Sequence, residues 1–124
     1  MDLLEVRDVE DVIVVSFKHT EILDQVVIEQ IGDQFRDLPT QAASCGRLLI
    51  NFDGIEFMAS AMIGQILMLH KQCVKDKIHL KLCGISPNIL EVFKITTLDK
   101  LLDIRPNELK AIQAFGPGRQ PWHR

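Results

Sequence analysis

The chain has 124 residues, 47% hydrophobic and 25% charged, with a formal net charge of −3, which is material for one domain with a real core. No apolar run approaches the ~18 residues of a membrane span, and the start Met-Asp-Leu-Leu-Glu lacks the basic opening and long apolar run of a secretory signal, so a cytoplasmic location is expected. Charge is uneven: residues 1–60 carry 4 basic and 12 acidic side chains, and residues 61–124 carry 10 and 5. The basic excess lacks the arginines and stacking aromatics of a nucleic-acid footprint.

Leu4 to Arg7 alternates weakly and reads as a short strand, Val9-Glu10-Asp11 as a turn. Val12 to Phe17, β-branched and apolar, is a strand that closes a hairpin. Val27, Ile28, Ile31, Phe35 and Leu38 then repeat at helical spacing. Asp24 can cap that helix and Pro39 is placed to end it. After a polar connection from Gln41 to Gly46, Leu48, Leu49 and Ile50 form the continuous apolar run of a buried strand, followed by an Asp53-Gly54 turn.

From Ser60 the pattern is helical, with Met62, Ile66, Leu69 and Cys73 on one face and Ile63 and Leu67 beside it. Gly64 weakens this helix slightly but permits close approach of a neighbouring backbone. Asp76-Lys77 ends it, and Lys71, Lys75, Lys77 and Lys81 read as its solvated end, where cations suit the helix dipole. Ile78 to Cys83 alternates as a strand. Ser86 and Pro87 supply a cap and a first helical residue, with Ile89, Leu90 and Phe93 as the apolar stripe. Leu101 to Ile104 reads as a short strand, and Pro106 opens a last helix with Leu109, Ile112 and Phe115 inward. Residues 116–124, with their glycines and prolines, make a flexible C-terminal tail in which Trp122 is taken as exposed.

The order β-β-α-β-α-β-α-β-α predicts an α/β fold over residues 1–115. The sheet is open and mixed, of four or five strands, parallel in its second half, with helices mainly on one face.

Motifs for chemistry are absent. There is no phosphate loop, no dinucleotide fingerprint and no His-Glu-x-x-His. Ser60 is not in a nucleophile elbow. His19, His70, His79 and His123 are isolated, and Asp53 and Glu56 suit a turn and a solvated surface. Cys45, Cys73 and Cys83 are odd in number and widely spaced. They read as unlinked thiols of a reducing compartment, with Cys73 and Cys83 on apolar faces. No enzyme activity, cofactor or metal is expected. What remains is Ser60. As a helix cap it is worth about 1 kcal/mol, and residue chemistry alone favours that role. A serine at an exposed helix N-terminus is also a good phosphorylation site, because the dipole tolerates the roughly −1.5 to −2 charges a phosphate adds.

The run Ile-Asn-Phe-Asp-Gly-Ile-Glu-Phe-Met-Ala-Ser-Ala-Met-Ile-Gly resembles the signature of STAS domains, the fold of bacterial anti-sigma factor antagonists. Their pattern is an apolar strand, a turn, then Phe-Met/Ile-Asp-Ser-Ser/Thr-Gly-Leu-Gly opening a helix. The resemblance continues through Leu82-Cys-Gly-Ile-Ser-Pro and on to Leu101-Leu-Asp-Ile, covering nearly the whole domain. It implies a partner-switching regulator of transcription. The unphosphorylated form binds a cognate serine-kinase-type anti-sigma factor and frees the sigma factor; phosphorylation switches it off. Ser60 matches the phosphoacceptor and Gly64 the second glycine. Ala59 stands where the family has aspartate, Ala61 replaces the second hydroxyl residue, and Met62 replaces the first glycine. Two other readings stand beside this one: a STAS interaction scaffold without phosphorylation, and a small-ligand or nucleotide sensor, which a polar pocket beside Ser60 would favour. Neither nucleic acid nor membrane is an expected partner. Phe57, Met58, Ala59, Ala61, Met62 and Met68 are too many apolar residues for one strand end and one helix to bury. Part of them is expected to form an exposed patch, with Ala59, Ser60, Ala61 and Met62 touching the partner and Phe57 in the core.

Overall fold

The computed structural model describes residues 3–116; residues 117–124, which hold Trp122 and nearly all of the expected tail, lie outside it. β1 (Leu4–Val9) and β2 (Val12–Phe17) form the antiparallel hairpin. Glu10 and Asp11 both have positive φ, 51° and 64°, the backbone that lets a two-residue loop follow the twist of its strands. After the short β3 (Glu21–Ile22) comes α1 (Gln25–Gln41), capped by Asp24, whose carboxylate accepts the Val26 and Val27 N–H groups at 2.7 and 3.3 Å. Pro39 does not end α1 but lies inside it, buried. So close to the helix end its missing N–H leaves only one carbonyl without its donor, and the ring faces the core.

The chain continues through β4 (Arg47–Asn51), β5 (Phe57–Met58), α2 (Ser60–Lys75) and β6 (His79–Cys83). It closes with α3 (Pro87–Ile95), α4 (Leu98–Leu101), β7 (Asp103–Arg105) and α5 (Glu108–Phe115). The Ser86 hydroxyl accepts from Ile89 N–H at 3.4 Å, as its cap position requires. The strand expected over Leu101–Ile104 is shifted. Thr97 takes a left-handed φ of 60°, stops α3, and turns the chain into one helical turn before β7 begins.

The main sheet has five strands in the order β1-β2-β4-β6-β7, antiparallel at β1/β2 and parallel elsewhere, and β3 and β5 form a separate parallel pair. Strand alternation divides the interior. Val15, Leu48, Ile50 and Leu82 face the larger cluster with Ile28, Phe35, Ile66 and Phe93 of the helices. Val12, Val14, Leu49 and Cys83 face Ala111 and Ile112 of α5 alone. Leu109, expected inward, is 66% exposed. Asn107 rather than Pro106 sets the start of α5, its Oδ1 accepting Lys110 N–H at 2.9 Å; Glu108 turns toward β1, and Leu109 is carried outward.

Lys81 is not part of the solvated helix end. It lies on β6 on the α5 side, 2.5 Å from Asp103 and 4.9 Å from the Phe115 ring. Cys73 and Cys83 are buried and unlinked. Burial, with Asp76 nearby, pushes the Cys73 thiol up to about 11, and burial, with Glu108 and Asp53, pushes Cys83 up to about 12.

Candidate functional site

The site is built on the segment between β4 and α2. At the end of β4 the Asn51 Oδ1 accepts the Asp53 N–H at 2.8 Å, and Ile55 N–H donates to Phe52 O at 3.0 Å. Phe52 and Ile55 are buried, so the turn is anchored from beneath. Gly84 backs it closely: a Cβ there would lie 2.8 Å from both Asn51 Oδ1 and Asp53 N, and its φ is +70°. Asn51 also donates to Glu108 Oε1 at 3.0 Å, and Arg7 donates to the same carboxylate at 2.6 Å. The Arg7 hydrogen bond holds the Glu108 carboxyl below its usual range against the opposing effect of burial. Sequence reading passed over Asn51; its signal was an amide at a strand end just before an Asp-Gly turn.

β5 is pinned to β3. Glu56 N–H donates to Thr20 O at 2.7 Å and Ala59 N–H to Ile22 O at 2.8 Å, with Glu21 opposite Phe57 and Ile22 opposite Met58. This tie explains where the helix begins. Ala59 stays extended (φ −69°, ψ 149°) as the cap residue, with no side-chain cap bond, and Ser60 is the first residue of α2. Ser60 is therefore the first helical residue and not the cap: the bond to Ile22 holds Ala59 extended, and the helix begins one residue earlier than a Ser60 cap would place it. No acidic side chain lies in the first turn, so the local field there is that of the helix N-terminus.

Ser60 and Ala61 are exposed and Ala59 is half-buried; these come together on one surface. Met62 does not join them. It is 0% exposed, packed with Ile66 and Leu69 in the core, and out of reach of a partner. Phe57, expected in the core, is instead 54% exposed: on a two-residue strand the alternation turns Phe57 out and Met58 partly in. Beside Ser60 a shallow depression of about 240 Å³ is bordered by Phe57, Ile63 and Val92, with Glu56 and Asn88 at its polar margin. Along α2, Ser60, Ala61, Gly64 and Met68 form one exposed stripe. Among the described residues nothing beyond the helix's own backbone lies within 4 Å of a Cβ built on Gly64, so the close neighbour expected there is not among them, and the gap opens to the outside.

Among the described residues no cluster of histidine, cysteine and acidic side chains could hold a metal ion, and no helix is long and apolar enough to cross a membrane.

A family model described as the STAS domain matches residues 2–111. A STAS-domain anti-sigma-factor antagonist from Planctomyces limnophilus is 25% identical, with a TM-score of 0.74 over 90% of this chain and 96% of that one. An anti-sigma factor antagonist from Mycobacterium paratuberculosis is 22% identical, with a TM-score of 0.77 over 90% and 91%. The Bacillus cell fate determinant SpoIIAA in its phosphorylated form is 20% identical, with a TM-score of 0.67 over 90% and 98%.

Proposed function

The chain belongs to the STAS domain family, and on that premise we propose that it is a bacterial, cytoplasmic anti-sigma factor antagonist that binds a serine-kinase-type anti-sigma factor and is switched off by phosphorylation of Ser60. The observation that carries the reading is an exposed serine on the first turn of a helix, flanked by exposed apolar side chains. The contact surface is Ala59, Ser60 and Ala61 with Phe57 and the depression toward Val92. The stripe through Gly64 lets a partner backbone come close. SpoIIAA, which shares the fold, exists in a phosphorylated form, which supports the same chemistry here. The depression is bordered mainly by apolar side chains, so it suits an aliphatic or aromatic anchor of a protein better than a nucleotide. Ala59 in the place of the family aspartate favours a second reading, in which the same surface is a scaffold contact without the switch.

The experiment is incubation with the cognate anti-sigma factor and ATP, read by intact mass, together with titration of Ser60→Asp and Ser60→Ala. Phosphate should appear on the wild type and not on Ser60→Ala. Ser60→Asp should bind more weakly by about 2–5 kcal/mol, because it leaves a charge in a desolvated contact. Ser60→Ala should bind like the wild type and keep its stability, since Ser60 caps nothing. Normal binding without phosphate transfer would leave the scaffold reading. A folded Ser60→Asp that binds as well as the wild type would remove this surface from the interface.

A further inference from the structure

Among the described residues β1 is an outer strand of the five-stranded sheet and pairs only with β2. At the opposite edge β7 is three residues long, so β1 is the long open edge. Lys18 N–H donates to Leu3 O at 3.1 Å. With the unbroken register from Leu4↔Phe17 to Val9↔Val12, this turns the backbone groups of Glu5 and Arg7 toward β2. Those of Leu4, Val6 and Asp8 point outward. Proteins blunt such an edge with a bulge, a proline or charges that repel a copy of themselves. β1 has neither bulge nor proline, and its two central charges, Glu5 and Arg7, are of opposite sign.

We infer that β1 is a self-association edge, onto which a second copy of this chain adds its own β1 antiparallel about a two-fold axis at Val6. That register sets Glu5 opposite the partner's Arg7 and Arg7 opposite the partner's Glu5. Val6 bonds the partner's Val6 through the backbone, and Leu4 bonds the partner's Asp8. The alternatives are worse. An axis at Glu5 or Arg7 brings like charges face to face, an axis at Asp8 opposes two carboxylates, and an axis at Leu4 shortens the overlap. Arg7 already lies 3.8 Å from its own Glu5, on the side that would meet the partner's Glu5. Val6, 43% exposed, borders a depression of about 300 Å³ with Gln34, Asp37 and Gln41 of α1, which leaves room for the partner's Val6. Asp8 and Asp37 lie on that same side and repel across the axis, so the association is weak and concentration-dependent. The proposal shares no residue with the Ser60 surface and stands or falls apart from it.

The test is sedimentation equilibrium of the full chain from roughly 10 μM to 1 mM, the range of weak self-association. Val6→Lys and Val6→Asp each place like charges on the axis at a part-exposed position. The wild type should pass from monomer to dimer. Each variant should associate at least about tenfold more weakly, and an equimolar mixture of the two should regain association through unlike charges. Urea midpoints establish that the variants fold; if either does not, Glu5→Arg, which opposes the partner's Arg7, replaces it with the same expected weakening. A wild type that stays monomeric overturns the inference, whatever else the edge binds. Dimers that persist in both variants, or a mixture no tighter than its parts, overturn it as well.

Discussion

Replacing Gly84 by alanine tests how the turn before Ser60 is held. Gly84 has φ +70°, and a Cβ there would lie 2.8 Å from Asn51 Oδ1 and 2.8 Å from the Asp53 backbone nitrogen. Left-handed backbone costs an L-residue about 1–2 kcal/mol. The clash adds about 1–3 kcal/mol, because one contact is backbone and the other is the side chain that already holds Asp53 N–H and Glu108. Gly84→Ala should therefore lose about 3 kcal/mol. Gly54 provides the control: its φ is +89°, and nothing lies within 4 Å of its Cβ position, so Gly54→Ala should lose only the backbone part, about 1 kcal/mol. Urea unfolding by circular dichroism reads both. With a slope of about 2 kcal/mol per M, the midpoints should fall by about 1.5 M and about 0.5 M with the slope unchanged. Equal losses in the two variants would refute the close contact between Gly84 and the turn.

Three further outcomes follow from packing and charge. Met62→Ala should lose about 2–5 kcal/mol in the same unfolding assay, since the side chain is fully buried. Glu108 is depressed in the fold chiefly by the Arg7 hydrogen bond, so its contribution is complete above the unfolded value of about 4.3 and is lost as pH falls through the lower folded value. Glu108→Gln should therefore flatten the acid limb of a stability–pH curve and lower stability at neutral pH. Of the three free thiols, Cys45 is partly exposed while Cys73 and Cys83 are buried; titration with a thiol reagent should modify Cys45 in the native protein and the other two only on unfolding.

Long elements were legible because each carries several turns or pleats of its own pattern, as Val12–Phe17 and the Met62, Ile66, Leu69, Cys73 stripe do. β3 and β5 were not: two residues establish no period, and the pair exists through backbone bonds to Thr20 and Ile22. The same tertiary bond to Ile22 makes Ala59 the cap of α2 and starts the helix one residue before the place that local chemistry gives it with Ser60 as cap. Pro39 inside α1 shows local propensity yielding to burial of the ring. Met62 is a different case. The helical stripe already assigned it to the core, and a partner contact could not hold for the same side chain. Leu109 failed because Ala111, Ile112 and Phe115 make the inward face of α5, and at about 3.6 residues per turn Leu109 lies more than a quarter turn from the middle of that face.

The alanine at the cap of α2 has a consequence for the proposed switch. A carboxylate there would accept first-turn N–H groups and partly neutralise the positive end of the helix. Ala59 does neither, so a phosphate on Ser60 would be the first negative charge within the first turn itself, with Glu56 nearby at the margin of the depression. For the isolated domain such a charge is stabilising, by about 0.3–1 kcal/mol at an exposed terminus. For a partner seated over Phe57 and Ala61 the same charge must be stripped of water, at a loss of about 2–5 kcal/mol. The two effects have opposite signs and unequal sizes. On this proposal phosphorylation would leave the fold intact while weakening the contact, and the difference would come from where the charge sits rather than from any rearrangement of the domain.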